Sequence, residues 1–326
     1  MSTQSSKQRL TPESYTVALI CPNEVVMSAV RFMLDEEHQK LPKNKRDLSS
    51  YILGSMSGHN VVIATHLGKV AGDVATASIA AFLLHSFPKA ELRLMVSIAG
   101  GVPKGPHGIR LGDVVVSDPN PKRGGVAKYD YGKCTTDGFE RKVHYLEATP
   151  APLIEACMHM KHDHRTNPSR IADILLDSSN KYPRMSAFRR PPPLMDPLSR
   201  DLNERAVRQN AGPGHGGFGG AMEPPQVLGQ PRVHYGMIAS GASLVTDSKE
   251  RDKLAEEFGA ICLDTDASGL QIYPALVVSG IYHYCDPSYS DSWIEYAAAS
   301  AAACAKNMLS FIAPTGNGYQ PYQRRK

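Results

Sequence analysis

The chain has 326 residues, with 36 Lys and Arg against 32 Asp and Glu, 12 His, 6 Cys and 1 Trp. That length supports one large α/β domain or two small ones. A net charge of +4, with no basic run except Arg324, Arg325 and Lys326, argues against nucleic-acid binding. No stretch approaches the ~18 apolar residues of a membrane span. Residues 1–14 are polar and lack the apolar core of a secretory signal. The nearest cysteines, Cys285 and Cys304, are too far apart for a CxxC or metal-knuckle spacing, so neither metal nor cofactor is expected. Dispersed cysteines in a chain this long fit reduced core residues of a cytoplasmic protein.

In chain order, residues 17–21 (VALIC) form an unbroken apolar run, the pattern of a strand buried on both faces. Val26, Ala29, Val30 and Met33 then recur at helical spacing. Residues 40–50 are polar and predict a loop. Residues 51–56 and 61–64 predict two strands joined by a tight turn at 57–60 (SGHN). Residues 71–85 are Ala-rich with helical periodicity. Residues 92–98 predict a buried strand broken by Gly100 and Gly101, and residues 113–117 predict another. Residues 152–161 predict a helix.

From 183 to 232 the composition shifts to 9 Pro and 7 Gly, which predicts a long mobile insertion without a packed core. Residues 234–240 resume order. Ser248 is a candidate cap for a helix running to Phe258, and residues 261–263 and 275–279 predict the last strands. Asp291 is a candidate cap for a final, mostly Ala-rich helix through Ala297 to Phe311. Together these predict one α/β domain over 15–312, with a mixed, mostly parallel central sheet flanked by helices. Residues 1–14 are expected to be disordered and 313–326 to form a basic tail.

Four features are candidates for chemistry, each with a plainer alternative. Gly100 and Gly101 follow a strand and could bring backbone N–H groups to a ligand, or could simply form a turn. The absence of GxGxxG and of a Walker lysine argues against triphosphate binding. His159 and His162 have helical spacing that could hold a metal, but Lys161, Asp163 and Arg165 around them suit a solvated face. Asp264 and Asp266 follow a strand and could hold sugar hydroxyls, or cap a helix. His283, also past a strand, is a candidate general acid or base, or a structural histidine.

Several segments in register resemble one family. They are residues 100–117 (GGVPKGPHGIRLGDVVVS), 128–133 (KYDYGK), 234–241 (HYGMIASG) and 251–255 (RDKLA). Together they are similar to the nucleoside phosphorylase and methylthioadenosine nucleosidase superfamily. The likeness runs from about Val17 to Ile312, interrupted by the Pro/Gly-rich segment. It is nearest to the fungal branch, whose members often form a sensor-like module of NACHT or ankyrin-repeat proteins. The resemblance implies a phosphorylase/hydrolase-like α/β fold, partly barrel-like. It also implies action on N-glycosidic bonds of purine nucleosides, a nucleoside-like small-molecule partner and homo-oligomers.

Carried onto this chain, the resemblance implies altered chemistry. The water-activating Glu falls on Val26, with Glu24 a displaced substitute. The Met-Glu pair on the ribose falls on Thr265 and Asp266, and the Asp that protonates the base falls on His283. The glycine-rich loop is Ala99, Gly100 and Gly101. The base-stacking segment after Ser240 falls near Leu244 and Val245. The phosphate-holding Arg and Ser fall on Met95 and Ile98, so phosphorolysis is disfavoured. Three readings follow: a nucleosidase with His283 as acid and Asp266 on the sugar, a binding or sensor module without turnover, or a pocket turned to another substrate.

Overall fold

Strands here grow out of apolar runs that are buried at every residue: β1 (Val17–Ile20), β6 (Val114–Ser117), β12 (Ala260–Asp264) and β13 (Leu276–His283). The computed structural model describes residues 10–68, 72–104, 107–118, 124–136, 138–147, 149–198, 230–271 and 273–314. At the centre, β5 (Leu92–Gly101) runs parallel to β1 on one side and to β13 on the other. β13 is antiparallel to β6, and β6 is parallel to β11 (Val233–Ser240), which is parallel to β12. β12 then pairs antiparallel with the end of β5, through Cys262 with Gly101 and Leu263 with Gly100. Strands β5, β13, β6, β11 and β12 therefore close on themselves as a small barrel.

The sheet continues past β1 to β4 (His59–His66), β3 (Ser49–Met56) and the short β2 (Glu36–Glu37). On the other edge, β7 (Val126–Lys128) pairs with β11, and β10 (His144–Tyr145) with β7. A separate hairpin joins β8 (Gly132–Thr135) and β9 (Gly138–Arg141). The sheet is mixed, as expected. Ser57 and Gly58 make the β3–β4 turn with φ of 49° and 82°, the left-handed backbone of a two-residue hairpin.

Alternate strand residues serve opposite layers. Val17 and Leu19 join a core with α1 (Glu24–Phe32), α3 (Ala151–Thr166) and α6 (Ile294–Leu309). Ala18 and Ile20 join the opposite core, with α2 (Gly72–Ser86). The alanines of α6 have a physical reason. At Gly280 of β13 a Cβ would collide with the Ala297 backbone, so helix and strand meet at a separation that only small side chains permit.

Several local expectations change. β5 runs through Gly100 and Gly101 instead of breaking there. Asp247, not Ser248, caps α5 (Ser248–Phe258), its carboxylate accepting from Lys249 N at 2.9 Å. Ser290, not Asp291, caps the 3₁₀ turn Asp291–Trp293 that leads into α6. α4 (Ile171–Lys181) and the strands β7 to β10 were not anticipated. The Pro-rich segment begins with 3₁₀ turns at Pro183–Phe188 and Pro193–Met195, and Met185 and Asp196 are buried, so this part is packed. Its remainder over 199–229, like most of the expected disordered N-terminus (1–9) and basic tail (315–326), lies outside the described residues. Among the described residues no helix is long and apolar enough to cross a membrane.

Candidate functional site

Where the barrel closes, the ends of β5, β11, β12 and β13 bring a buried polar cluster together. Ser97 on β5 and Ser279 on β13 are polar residues inside apolar runs, and their hydroxyls sit 2.8 Å apart. Ser97 Oγ also donates to Asp264 Oδ2 at 2.8 Å. Ser240, at the end of β11, donates to Asp264 Oδ1 at 3.3 Å and accepts from Ser268 N at 2.8 Å. Asp264 Oδ1 further accepts from the backbone N–H groups of Asp266 at 2.7 Å and Ala267 at 2.6 Å.

The 3₁₀ turn Ala267–Leu270 therefore takes its side-chain donor satisfaction from Asp264, although Asp266 occupies the N-cap position. Asp266 makes no cap bond. Its carboxyl instead accepts from Gly72 N–H at the first turn of α2. Burial first, and the Asp264 charge second, push the Asp266 carboxyl up to about 8. Asp264 is also pushed up by burial, opposed by its four donors. The four donors favour the charged form of Asp264, and that charge in turn helps keep the proton on Asp266. Asp266 is thus a neutral acid beside the helix N-terminus.

His283 ends β13. A register shift between Ile281 and His283 turns the strand there, the usual effect of a bulge. The next turn places Cys285 in a left-handed backbone, φ 51°, and its N–H donates to His283 Nδ1 at 3.0 Å. That bond puts the ring proton on Nε2, which is buried without a partner. Tyr282 and Tyr289 meet the imidazole edge to face, with centroids 4.3 and 5.4 Å away. Burial pushes His283 down to about 4, only partly countered by Asp286. It is neutral at pH 7. The Cys285 thiol, also buried, is pushed up to about 12.

The glycine pair is explained by protein neighbours. A Cβ at Gly100 would collide with Cys285 Sγ and come within 2.8 Å of His283 Nε2; at Gly101 it would meet Ile281 and Ile109. Ala99 and both glycines are buried where β12 and β13 flank β5. Thr265 is half-buried, and its carbonyl lies near Gly72. Leu244 is exposed, while Val245 is half-buried against the apolar cluster that includes Tyr129 and Cys285. Val26 is fully buried in α1 and Glu24 is exposed at its start, so neither places a carboxylate in the cluster. Met95 is fully buried and Ile98 half-buried. His159 and His162 lie with Met158 along a surface groove on α3. Among the described residues no group of three or more His, Cys, Asp or Glu could hold a metal.

Reading the sequence alone did not single out Ser97, Ser279 or Cys285. Their signals were hydroxyls interrupting buried strands and a small residue after a strand end, both common without function.

A family profile described as the phosphorylase superfamily matches residues 16–272. A nucleotide-binding leucine-rich repeat (NLR)-like protein of Hyaloscypha variabilis is 36% identical over 318 residues; the match covers 96% of this chain but 31% of that protein. Two solved structures are similar in fold. One is the 5′-methylthioadenosine/S-adenosylhomocysteine nucleosidase of Neisseria meningitidis with methylthio-immucillin-A, at TM-score 0.54, 19% identity and coverage of 91% and 99% of the two chains. The other is the futalosine hydrolase of Helicobacter pylori, at TM-score 0.56, 14% identity and coverage of 91% and 97%. The profile match spans most of the chain, and the barrel with its flanking helices agrees with it: this chain belongs to the phosphorylase superfamily.

Proposed function

We propose that this domain, over residues 15–312, binds a purine-nucleoside-like ligand at the Asp266–His283 end of the barrel and does not cleave it efficiently. The observation that carries this reading is the proton inventory of the site. Cleaving an N-glycosidic bond requires a proton for the departing base and a group that activates water. His283, pushed down to about 4, is deprotonated at neutral pH and offers a hydrogen bond from Nε2 but no acidic proton. Asp266, held as a neutral acid near 8, carries the one acidic proton of the pair, but in this reading it faces the sugar, donating to one hydroxyl and accepting from another, and while protonated it is no base for water. Asp264 accepts only from donors within the protein. Val26 supplies no carboxylate.

These are features of a site that recognises. Similarity to an NLR-like protein about three times the length of the match supports a recognition module of a larger assembly. The experiment is calorimetric titration of adenosine, inosine and 5′-methylthioadenosine into wild type and Asp266→Ala. Saturable binding to wild type, weakened about tenfold or more by loss of the hydroxyl-reading acid, is expected. No binding of any nucleoside by a folded protein would overturn the reading.

A further inference from the structure

The start of the Pro-rich segment lies against His283. Met195 and Pro197 are exposed, but Asp196 between them is buried, 5% exposed. Its Oδ1 accepts from Tyr284 OH at 3.0 Å and from Leu198 N at 3.0 Å. Tyr284 is the neighbour of His283, and its phenol oxygen also accepts from Leu111 N at 3.2 Å. One residue earlier, the Met195 carbonyl accepts from Trp293 Nε1 at 3.4 Å, and the Arg190 guanidinium sits over the Trp293 ring. Between this strap and the strand end remains a void of about 10 Å³, lined by Met195, Pro197, Tyr282, His283, Tyr284 and Trp293 among others. That is room for about one water, not for an aromatic ring. His283, which lines this void, has its Nε2 without a partner.

We propose that residues 191–198 are a lid over His283, latched by the Tyr284–Asp196 hydrogen bond, and that a ligand reaches His283 only when the latch opens. The latch suits reversible opening. Asp196 has two donors and no ion-pair partner among the described residues, so opening returns a buried carboxylate to water and offsets the lost hydrogen bonds. The proposal rests on His283 belonging to the ligand site.

The chain's single tryptophan reports on the lid directly. Trp293 is 1% exposed beneath the strap, so its emission should be blue and weakly quenched by acrylamide in wild type. Tyr284→Phe removes the donor and keeps the ring; Asp196→Ala removes the acceptor from the surface side. Losing a hydrogen bond to a charged group raises the open population by about tenfold. Both variants should show greater acrylamide quenching and faster modification of His283 by diethyl pyrocarbonate, read by peptide mass, with far-UV circular dichroism unchanged. Trp293 and His283 as shielded as in wild type would overturn the lid. A looser Trp293 with His283 still shielded would overturn its gating role. Neither readout uses a nucleoside, so a protein that opens as described but binds none would sink only the functional reading.

Discussion

Replacing Asp266 by Asn should change how stability depends on pH, and the structure sets the size and sign. A carboxyl near 8 in the fold and near its ordinary ~3.9 when unfolded holds its proton longer in the native state. Its contribution is full below about pH 4 and is lost as pH rises to about 8, by on the order of 5 kcal/mol. His283 acts oppositely. Its folded value of about 4 lies below its unfolded ~6.5, so its contribution is full above about pH 6.5 and falls by about 3 kcal/mol on acidification to about pH 4. Between about pH 4 and 6.5 these two slopes oppose each other, and from about pH 6.5 to 8 Asp266 alone contributes a loss of about 2 kcal/mol. Asp266→Asn removes the Asp266 part of the alkaline loss and unmasks the acid slope of His283. Urea unfolding of both proteins across this range, taken as the difference at each pH, isolates the group from other carboxylates. A difference that stays flat from about pH 4 to 8 would refute the raised Asp266 carboxyl.

Three further outcomes follow from the same geometry. Gly100→Ala should destabilise the fold by about 1–3 kcal/mol in urea unfolding, because the methyl meets Cys285 Sγ and the His283 ring. Iodoacetamide at neutral pH should label exposed Cys134 and leave Cys285 unmodified in the native protein, as peptide mass would record; rapid labelling of Cys285 would contradict its burial and raised thiol value. Saturating phosphate should leave base release from inosine, guanosine and adenosine unchanged, since neither buried Met95 nor half-buried Ile98 supplies a charge or a side-chain donor.

Much of the framework was legible because it rests on local pattern. Unbroken apolar runs such as 17–21 marked strands buried on both faces, and the spacing of Val26, Ala29, Val30 and Met33 marked α1. The short strands β7 and β10 carry no such pattern, since pairing, of β7 with β11 and of β10 with β7, rather than composition defines them. Gly100 and Gly101 looked like a break because sequence does not show that Cys285 and His283 press on one and Ile281 and Ile109 on the other. The carboxylates of 264–266 were visible as candidates, but their division of labour was not. Which one caps and which one keeps a proton depends on donors from β5 and β11 that are distant in sequence. Likewise His283 was legible as a titratable residue, while its neutrality comes from burial and its tautomer from the Cys285 N–H.

The central claim is recognition without cleavage, and one measurement addresses it directly. The protein is equilibrated with 5′-methylthioadenosine or inosine at neutral pH, separated from free ligand, and the bound molecule is identified by chromatography and mass spectrometry. The account predicts that intact nucleoside is recovered from the protein after prolonged incubation. Recovery of free base and sugar in amounts that grow with time and require the protein would show that the site turns over, and would contradict it.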